Sequence, residues 1–196
     1  MKYINYIREH FKDPRSPVVT IREFETALSP KGISRTYLKR LINFMIHNGE
    51  LKRITKGVYT MNDDITVIGF AFRPFYYGLE NALTIRKLWE QGVNPVVVTP
   101  RNVRPGARKF GGSNYRVFHI NNRMFFGYNL IRYYDFWIPV SDYEKTLIDF
   151  VYFKHHLRKD VLIAIKGRLN NKRLRSYLKL CSPALRKRVL EMLNTG

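Results

Sequence analysis

Residues 34–60, SRTYLKRLINFMIHNGELKRITKGVYT, constrain the fold more tightly than any other stretch of the chain. Leu38, Leu41, Ile42 and Met45 recur at i, i+3, i+4 and i+7, the spacing of one buried helical stripe. Ser34 is a suitable N-cap, and Asn48-Gly49 supplies a helix stop. Residues 50–54 and 58–60 then alternate like strands around a turn at Thr55-Lys56-Gly57. An amphipathic helix, a stop and a small basic hairpin, in that order, predict a winged helix-turn-helix.

The face opposite the apolar stripe carries Arg35, Thr36, Lys39, Arg40, Asn43 and His47. Arginine and asparagine read guanine and adenine edges in the major groove, and lysine serves phosphates. Arg53 and Lys56 sit in the wing. The candidate DNA-binding set is therefore Arg35, Thr36, Lys39, Arg40, Asn43, Arg53 and Lys56. No acid occurs from Gly32 to Asn48, so nothing on this face opposes a phosphate backbone.

The upstream residues fit the same module. Tyr3, Ile4, Ile7 and Phe11 are spaced as in a helix, which Asp13-Pro14 and Ser16-Pro17 interrupt. Val18-Val19 is a short strand candidate. Thr20 followed by Glu23 predicts a capping box, opening a helix with Phe24, Ala27 and Leu28 inward. Ser29-Pro30-Lys31-Gly32 is the turn before Ser34. Residues 61–64, short and polar, mark the expected boundary.

Beyond it the pattern is mixed. Residues 65–72 read as a buried strand, 75–90 as a helix stopped by Gln91-Gly92, and 95–99 as a β-branched strand. Residues 102–114 read as a Gly- and Arg-rich connection. Strands are expected at 115–120, 123–126 and 136–140, with Asn121-Asn122 as a hairpin turn. Ser141 with Glu144 predicts a second capping box, opening a helix over Leu147, Ile148, Val151 and Tyr152. Helices are then expected over 161–169, 172–181 and 184–193. The predicted fold class is α+β: a winged helix over 1–62, then a domain over 63–196 with an α/β core (63–157) and a basic helical tail (158–196).

Charge points to the partner class. The 196 residues carry a net +20, divided as +7 over residues 1–62 and +13 over 63–196. Such an excess attracts polyanions and speeds encounter with them, which favours nucleic acid. No apolar run approaches the roughly 20 residues of a membrane span, and the start, MKYINYIREH, has no apolar secretory core. Cys181 is the single cysteine, which excludes an intramolecular disulfide and a multi-cysteine zinc site. A cytoplasmic, DNA-binding, cofactor-free protein is expected.

Four short runs carry a family resemblance: Tyr76-Tyr77-Gly78-Leu79-Glu80-Asn81-Ala82-Leu83; residues 95–99; Phe125-Phe126-Gly127; and Ser141-Asp142-Tyr143-Glu144-Lys145-Thr146-Leu147-Ile148-Asp149. They resemble the AbiEi antitoxins, DNA-binding partners of AbiEii nucleotidyltransferase toxins, and the resemblance covers about 150 residues. The first run is similar to the family's Y-x-S-x-x-S-A-L helix, with Gly78 and Asn81 replacing its small hydroxyl residues. The last is similar to its P-E-K-A-L-L-D helix start, with Asp142-Tyr143 where proline is common. The resemblance implies an autorepressor that binds promoter repeats in double-stranded DNA, with a second domain that supports cooperative binding. It also implies neutralisation of an AbiEii-like toxin without a stable complex. Winged helices usually read paired half-sites, so a homodimer or a cooperative assembly on DNA is expected.

Two other classes stay open at this point. Asp142, Glu144 and Asp149 could hold magnesium in a DNA-guided nuclease. Their alternative roles are helix capping, the favourable dipole of a first turn, and an ion pair between Asp149 and Lys145 at i−4. A regulator sensing a small ligand or a protein, with no toxin partner, is the other class. Adjacent His155-His156 point to different faces and make a poor metal pair, and Ser113 and Cys181 have no identifiable base. Tyr133, Tyr134, Phe136 and Trp137 are expected in the hydrophobic core, with base stacking as the alternative. The tail cations Lys166, Arg168, Lys172, Arg173, Arg175, Lys179, Arg186, Lys187 and Arg188 suit a DNA backbone, RNA, a toxin or plain solvation.

Overall fold

A computed structural model of the chain describes residues 2–13, 15–90 and 92–194. The expected breaks at Pro14 and Gln91 fall outside the described residues. The fold is α+β, with two compact units. One comprises residues 1–72 with segments 109–113 and 132–137; the other comprises 73–108, 114–131 and 138–196.

The first unit opens with α1 (Lys2–His10), β1 (Val19–Thr20) and α2 (Ile21–Leu28). The turn Ser29–Lys31 leads to α3 (Arg35–His47), then β2 (Lys52–Thr55) and β3 (Val58–Thr60). The three strands form a sheet in the order β1-β3-β2, antiparallel at both seams. The expected caps form: Thr20 and Glu23 make a reciprocal capping box, and the Ser34 hydroxyl accepts from the Tyr37 N–H. Ile4, Ile7, Phe24, Leu28, Leu38, Leu41, Ile42, Met45 and Leu51 form one core.

Residues 65–72 are a 3-10 helix, not the expected strand. An unbroken apolar run has no period that distinguishes the two. The residues before it decide the matter. The Asp64 carboxylate accepts from the Thr66 N–H at 2.7 Å, and its carbonyl accepts from the Val67 N–H at 3.2 Å, which winds the following chain.

A mixed six-stranded sheet has the order β6-β7-β5-β4-β9-β8. Its members are β4 (Tyr76–Tyr77), β5 (Val96–Thr99), β6 (Gly106–Phe110), β7 (Ser113–His119), β8 (Tyr128–Tyr133) and β9 (Phe136–Ser141). β4 runs antiparallel to β5 and parallel to β9, and β5 runs parallel to β7. The helices are α4 (Leu79–Ile85), α5 (Tyr143–Tyr152), α6 (Lys159–Lys166), α7 (Asn171–Leu180) and α8 (Pro183–Asn194). Tyr76, Val96 and Val98 from the sheet share one core with Leu83, Ile148, Ile165, Leu178 and Val189 from the helices.

Several expected boundaries move. The helix over 75–90 shortens to α4, because Tyr76 and Tyr77 pair with β5 and Gly78 packs tightly beneath them; a Cβ there would lie 2.9 Å from Val98 Cγ2. Lys87, at φ +60°, closes the helix, with Leu88 N–H donating to the Leu83 carbonyl. Residues 102–114 contain β6 and a turn through Gly111 and Gly112, both at positive φ. Residues 123–126 form no strand: Asn121 caps a short 3-10 turn, Asn122–Met124, through the Arg123 N–H.

The second capping box also differs. Asp142, not Ser141, is the N-cap of α5, accepting from the Lys145 N–H at 2.8 Å. The Ser141 hydroxyl lies 2.7 Å from the Thr146 hydroxyl instead, and Glu144 accepts from the Asn170 N–H at 2.5 Å. Gly127 lies at φ +70°, and its carbonyl accepts from the Asp142 N–H. A Cβ on it would sit 2.8 Å from Lys145 Cβ and 2.9 Å from Tyr177 Cε2. Gly127→Ala should therefore lower stability by about 1–3 kcal/mol, read as a lower urea midpoint at unchanged slope. An unaltered midpoint would mean that Lys145 and Tyr177 yield freely.

Candidate nucleic-acid interface

On α3 the four buried residues, Leu38, Leu41, Ile42 and Met45, fix the rotation of the helix. At 3.6 residues per turn, the line farthest from that stripe runs through Thr36, Arg40, Asn43 and His47. All four are exposed. Lys39 flanks this ridge on one side and is exposed. Tyr37 and Phe44 flank it on the other, with 39% and 38% of their surface open. The ridge thus sets Arg40 one turn from Asn43, side chains of the types that pair with guanine and adenine edges.

Arg35 stands apart from the ridge. Its guanidinium lies 2.8 Å from Glu25 on α2, so part of its charge is already neutralised. Sequence spacing gives no sign of this pair, because it joins two helices across a turn. Arg53 is exposed on β2 and Lys56 is exposed in the two-residue turn before β3. Gly57 closes that turn at φ +75°, and its carbonyl accepts from the Ile21 N–H at 2.8 Å. Arg8 holds Glu50 through two hydrogen bonds of 2.7 and 2.8 Å, fixing α1 to the residue that leads into β2. The Arg8 guanidinium also keeps the Glu50 carboxyl below its ordinary range.

The carboxylates near α5 have a different setting. Asp142, Glu144 and Asp149 are all buried. The Lys145 ammonium pairs with Asp149, and the Tyr76 hydroxyl donates to its other oxygen at 2.8 Å. The Tyr177 hydroxyl donates to Asp142 at 2.8 Å, and Arg173 approaches Glu144 at 3.5 Å. Burial pushes the Asp149 carboxyl above its ordinary value, against the pull of Lys145 and Tyr76. Burial likewise raises Asp142, against its hydrogen bonds from the Lys145 N–H and Tyr177. Burial, with the Asp142 hydrogen bond and charge adding to it, pushes the Tyr177 hydroxyl up to about 12, which keeps it a donor. Each carboxylate therefore has a structural partner.

Other expectations divide. His155 lies 2.8 Å from Glu80 and stacks on Phe150, whereas His156 is exposed. Phe136 is buried and Tyr133 half-buried, but Trp137 and Tyr134 are 57% and 77% exposed and so are not core residues. Strand alternation turns Trp137 away from buried Phe136 and Ile138, and Tyr134 lies in the turn between β8 and β9. In the tail Lys172, Arg175, Lys179 and Arg188 are exposed, while Arg186 donates to the Leu178 carbonyl at 2.9 Å.

Lys145→Met removes the partner of a fully buried carboxylate and should cost about 3–5 kcal/mol in denaturant unfolding. The double change Lys145→Met/Asp149→Leu should recover part of that loss. Without Lys145 the folded Asp149 protonates at higher pH than its unfolded value near 3.8. The folded state then binds the extra proton, so the single variant's deficit should shrink as pH falls through that window. A pH-independent deficit would show that Asp149 is not the burdened group.

No family model and no curated protein sequence matches the chain. Among solved structures, it is similar to the RV2827C protein from Mycobacterium tuberculosis, with a TM-score of 0.64 at 14% sequence identity. The match covers 99% of this chain and 77% of that one, and it shows a shared fold.

Proposed function

We propose that the chain is a sequence-specific DNA-binding repressor and antitoxin of the AbiEi type, working in the cytoplasm. Residues 1–62 act as a winged helix-turn-helix, with α3 entering the major groove and the β2–β3 turn resting on the DNA backbone. The observation that carries this reading is the exposed ridge Thr36, Arg40, Asn43 and His47, set in a stretch from Gly32 to Asn48 without one acid. The net charge of +20 supports it through attraction to phosphate. The four sequence runs similar to AbiEi proteins supply the antitoxin part, with an AbiEii-like toxin as the functional partner. Among the described residues no helix is long and apolar enough to cross a membrane. The nuclease alternative loses its support because Asp142, Glu144 and Asp149 are buried among structural partners.

Across the candidate DNA-binding set the roles separate. Arg40 and Asn43 read bases, Lys39, Arg53 and Lys56 hold phosphates, and Arg35, tied to Glu25, contributes least. The test is a mobility shift with the gene's own upstream duplex and a random duplex, at two salt concentrations, with magnesium present. The upstream duplex should shift discretely, keep its advantage at the higher salt, and stay uncut. Arg40→Ala should weaken specific binding by about 1–3 kcal/mol and leave random-duplex binding nearly unchanged. Lys56→Ala should weaken both duplexes equally and reduce the salt slope. Equal binding of both duplexes, lost together with salt, would refute the reading.

A further inference from the structure

Asn121, Arg123 and Met124, in the turn that follows β7, meet Ser182, Leu185 and Arg188, at the start of α8, around a cleft of about 520 Å³. All six belong to the second unit. The volume falls within the roughly 300–1,000 Å³ of small-molecule sites. Met124 and Leu185 are buried and supply its apolar lining. The polar lining offers donors. The Asn121 side-chain oxygen accepts from the Arg123 N–H at 2.9 Å, so the group it has left to offer is its NH2. The Ser182 oxygen accepts from the Leu185 N–H at 3.3 Å, which leaves its O–H to donate. No carboxylate lines the cleft. Among the described residues neither the Arg123 nor the Arg188 guanidinium has an ion pair or a hydrogen bond, whereas Arg173 and Arg186 are held by Glu144 and the Leu178 carbonyl.

We propose that this cleft binds a small phosphomonoester, with its phosphate held by Arg123 and Arg188 and its apolar body against Met124 and Leu185. Charge selects the class. A guanidinium meets phosphate oxygens through paired N–H···O bonds. Two guanidiniums, with no acid sharing them, match the charge of about −1.5 to −2 that a phosphomonoester carries near neutral pH. A carboxylate would leave one of them unmatched. A backbone phosphate of DNA shares the chemistry but carries a single charge. The apolar lining adds the second requirement, since an ion alone leaves Met124 and Leu185 without a contact. The inference stands independently of the DNA-binding reading.

Phenyl phosphate titrated into the full chain, followed by nuclear magnetic resonance of isotope-labelled methionine methyls, tests it. Met124 should shift saturably, while Met45 and Met61, in the first unit, stay in place. Inorganic phosphate should compete, and benzyl alcohol, which has the ring without the charge, should not bind. Arg123→Gln and Arg188→Gln should each weaken binding about tenfold or more. Both residues are exposed, so these variants should melt like the natural chain. Arg175→Gln removes the same charge from an exposed position of α7 outside the cleft and should leave the affinity nearly unchanged. The absence of a saturable shift at Met124 overturns the proposal. So does a shift that Met45 and Met61 share, equal binding of benzyl alcohol, or an affinity that survives Arg123→Gln and Arg188→Gln or falls equally with Arg175→Gln. Displacement of phenyl phosphate by a short duplex at equal phosphate concentration would assign the two arginines to a DNA backbone, and overturns it as well.

Discussion

The buried ion pair between Lys145 and Asp149 organises the second unit. Helix α5 is buried from Glu144 to Val151, so its ionisable side chains have no water to turn to. Charges in that setting must find partners inside the protein, since an isolated buried charge costs several kcal/mol or shifts its protonation. The partners come from separate elements. Tyr76 on β4 reaches Asp149, Tyr177 on α7 reaches Asp142, and the Asn170 N–H that precedes α7 reaches Glu144. One helix thereby fixes the position of a central strand and of a helix in the tail. Gly127 is the consequence: the Lys145 stem and the Tyr177 ring leave no room for a Cβ.

How much of this was legible depends on whether the signal was local. The caps at Thr20 and Ser34 and the stripe Leu38, Leu41, Ile42 and Met45 depend on residues within one or two turns of one another, and they formed as expected. The Lys145–Asp149 pair, at i and i+4, was equally readable. Residues 65–72 were not, because their apolar run has no period and the Asp64 side chain chose the winding. The start of α5 offered two adjacent capping residues, and tertiary demand decided between them. Ser141 is held by Thr146 and the Tyr77 carbonyl, which leaves Asp142 to cap. In the candidate interface, the exposed ridge was readable from spacing, but the Glu25–Arg35 pair was not, because nothing in the sequence sets the approach of α2 to α3.

The distribution of acids gives the net charge its effect. Many of the 15 carboxylates are held in local contacts. Glu23 caps α2, Glu25 holds Arg35, Glu50 holds Arg8, Asp63 pairs with Lys52, and Glu80 holds His155. Asp142, Glu144 and Asp149 are consumed inside the second unit. Lys39 and Arg40 on α3, and Lys172, Arg175, Lys179 and Arg188 in the tail, are left exposed. A surface of that kind attracts polyanions regardless of their sequence, so on the proposed reading charge alone does not decide which duplex is preferred.

On the proposed reading, preference has to come from a few side chains. Each mismatched base pair typically costs about 1–3 kcal/mol. One ridge with two strongly discriminating residues, Arg40 and Asn43, therefore separates a site from random DNA by only a few such steps. Non-specific binding driven by the +20 charge competes with it over every duplex present. Two modules acting on paired half-sites double the discriminating contacts without adding a new kind of contact. A short recognition surface on a strongly basic chain thus gains specificity more readily by coupling copies than by enlarging the ridge.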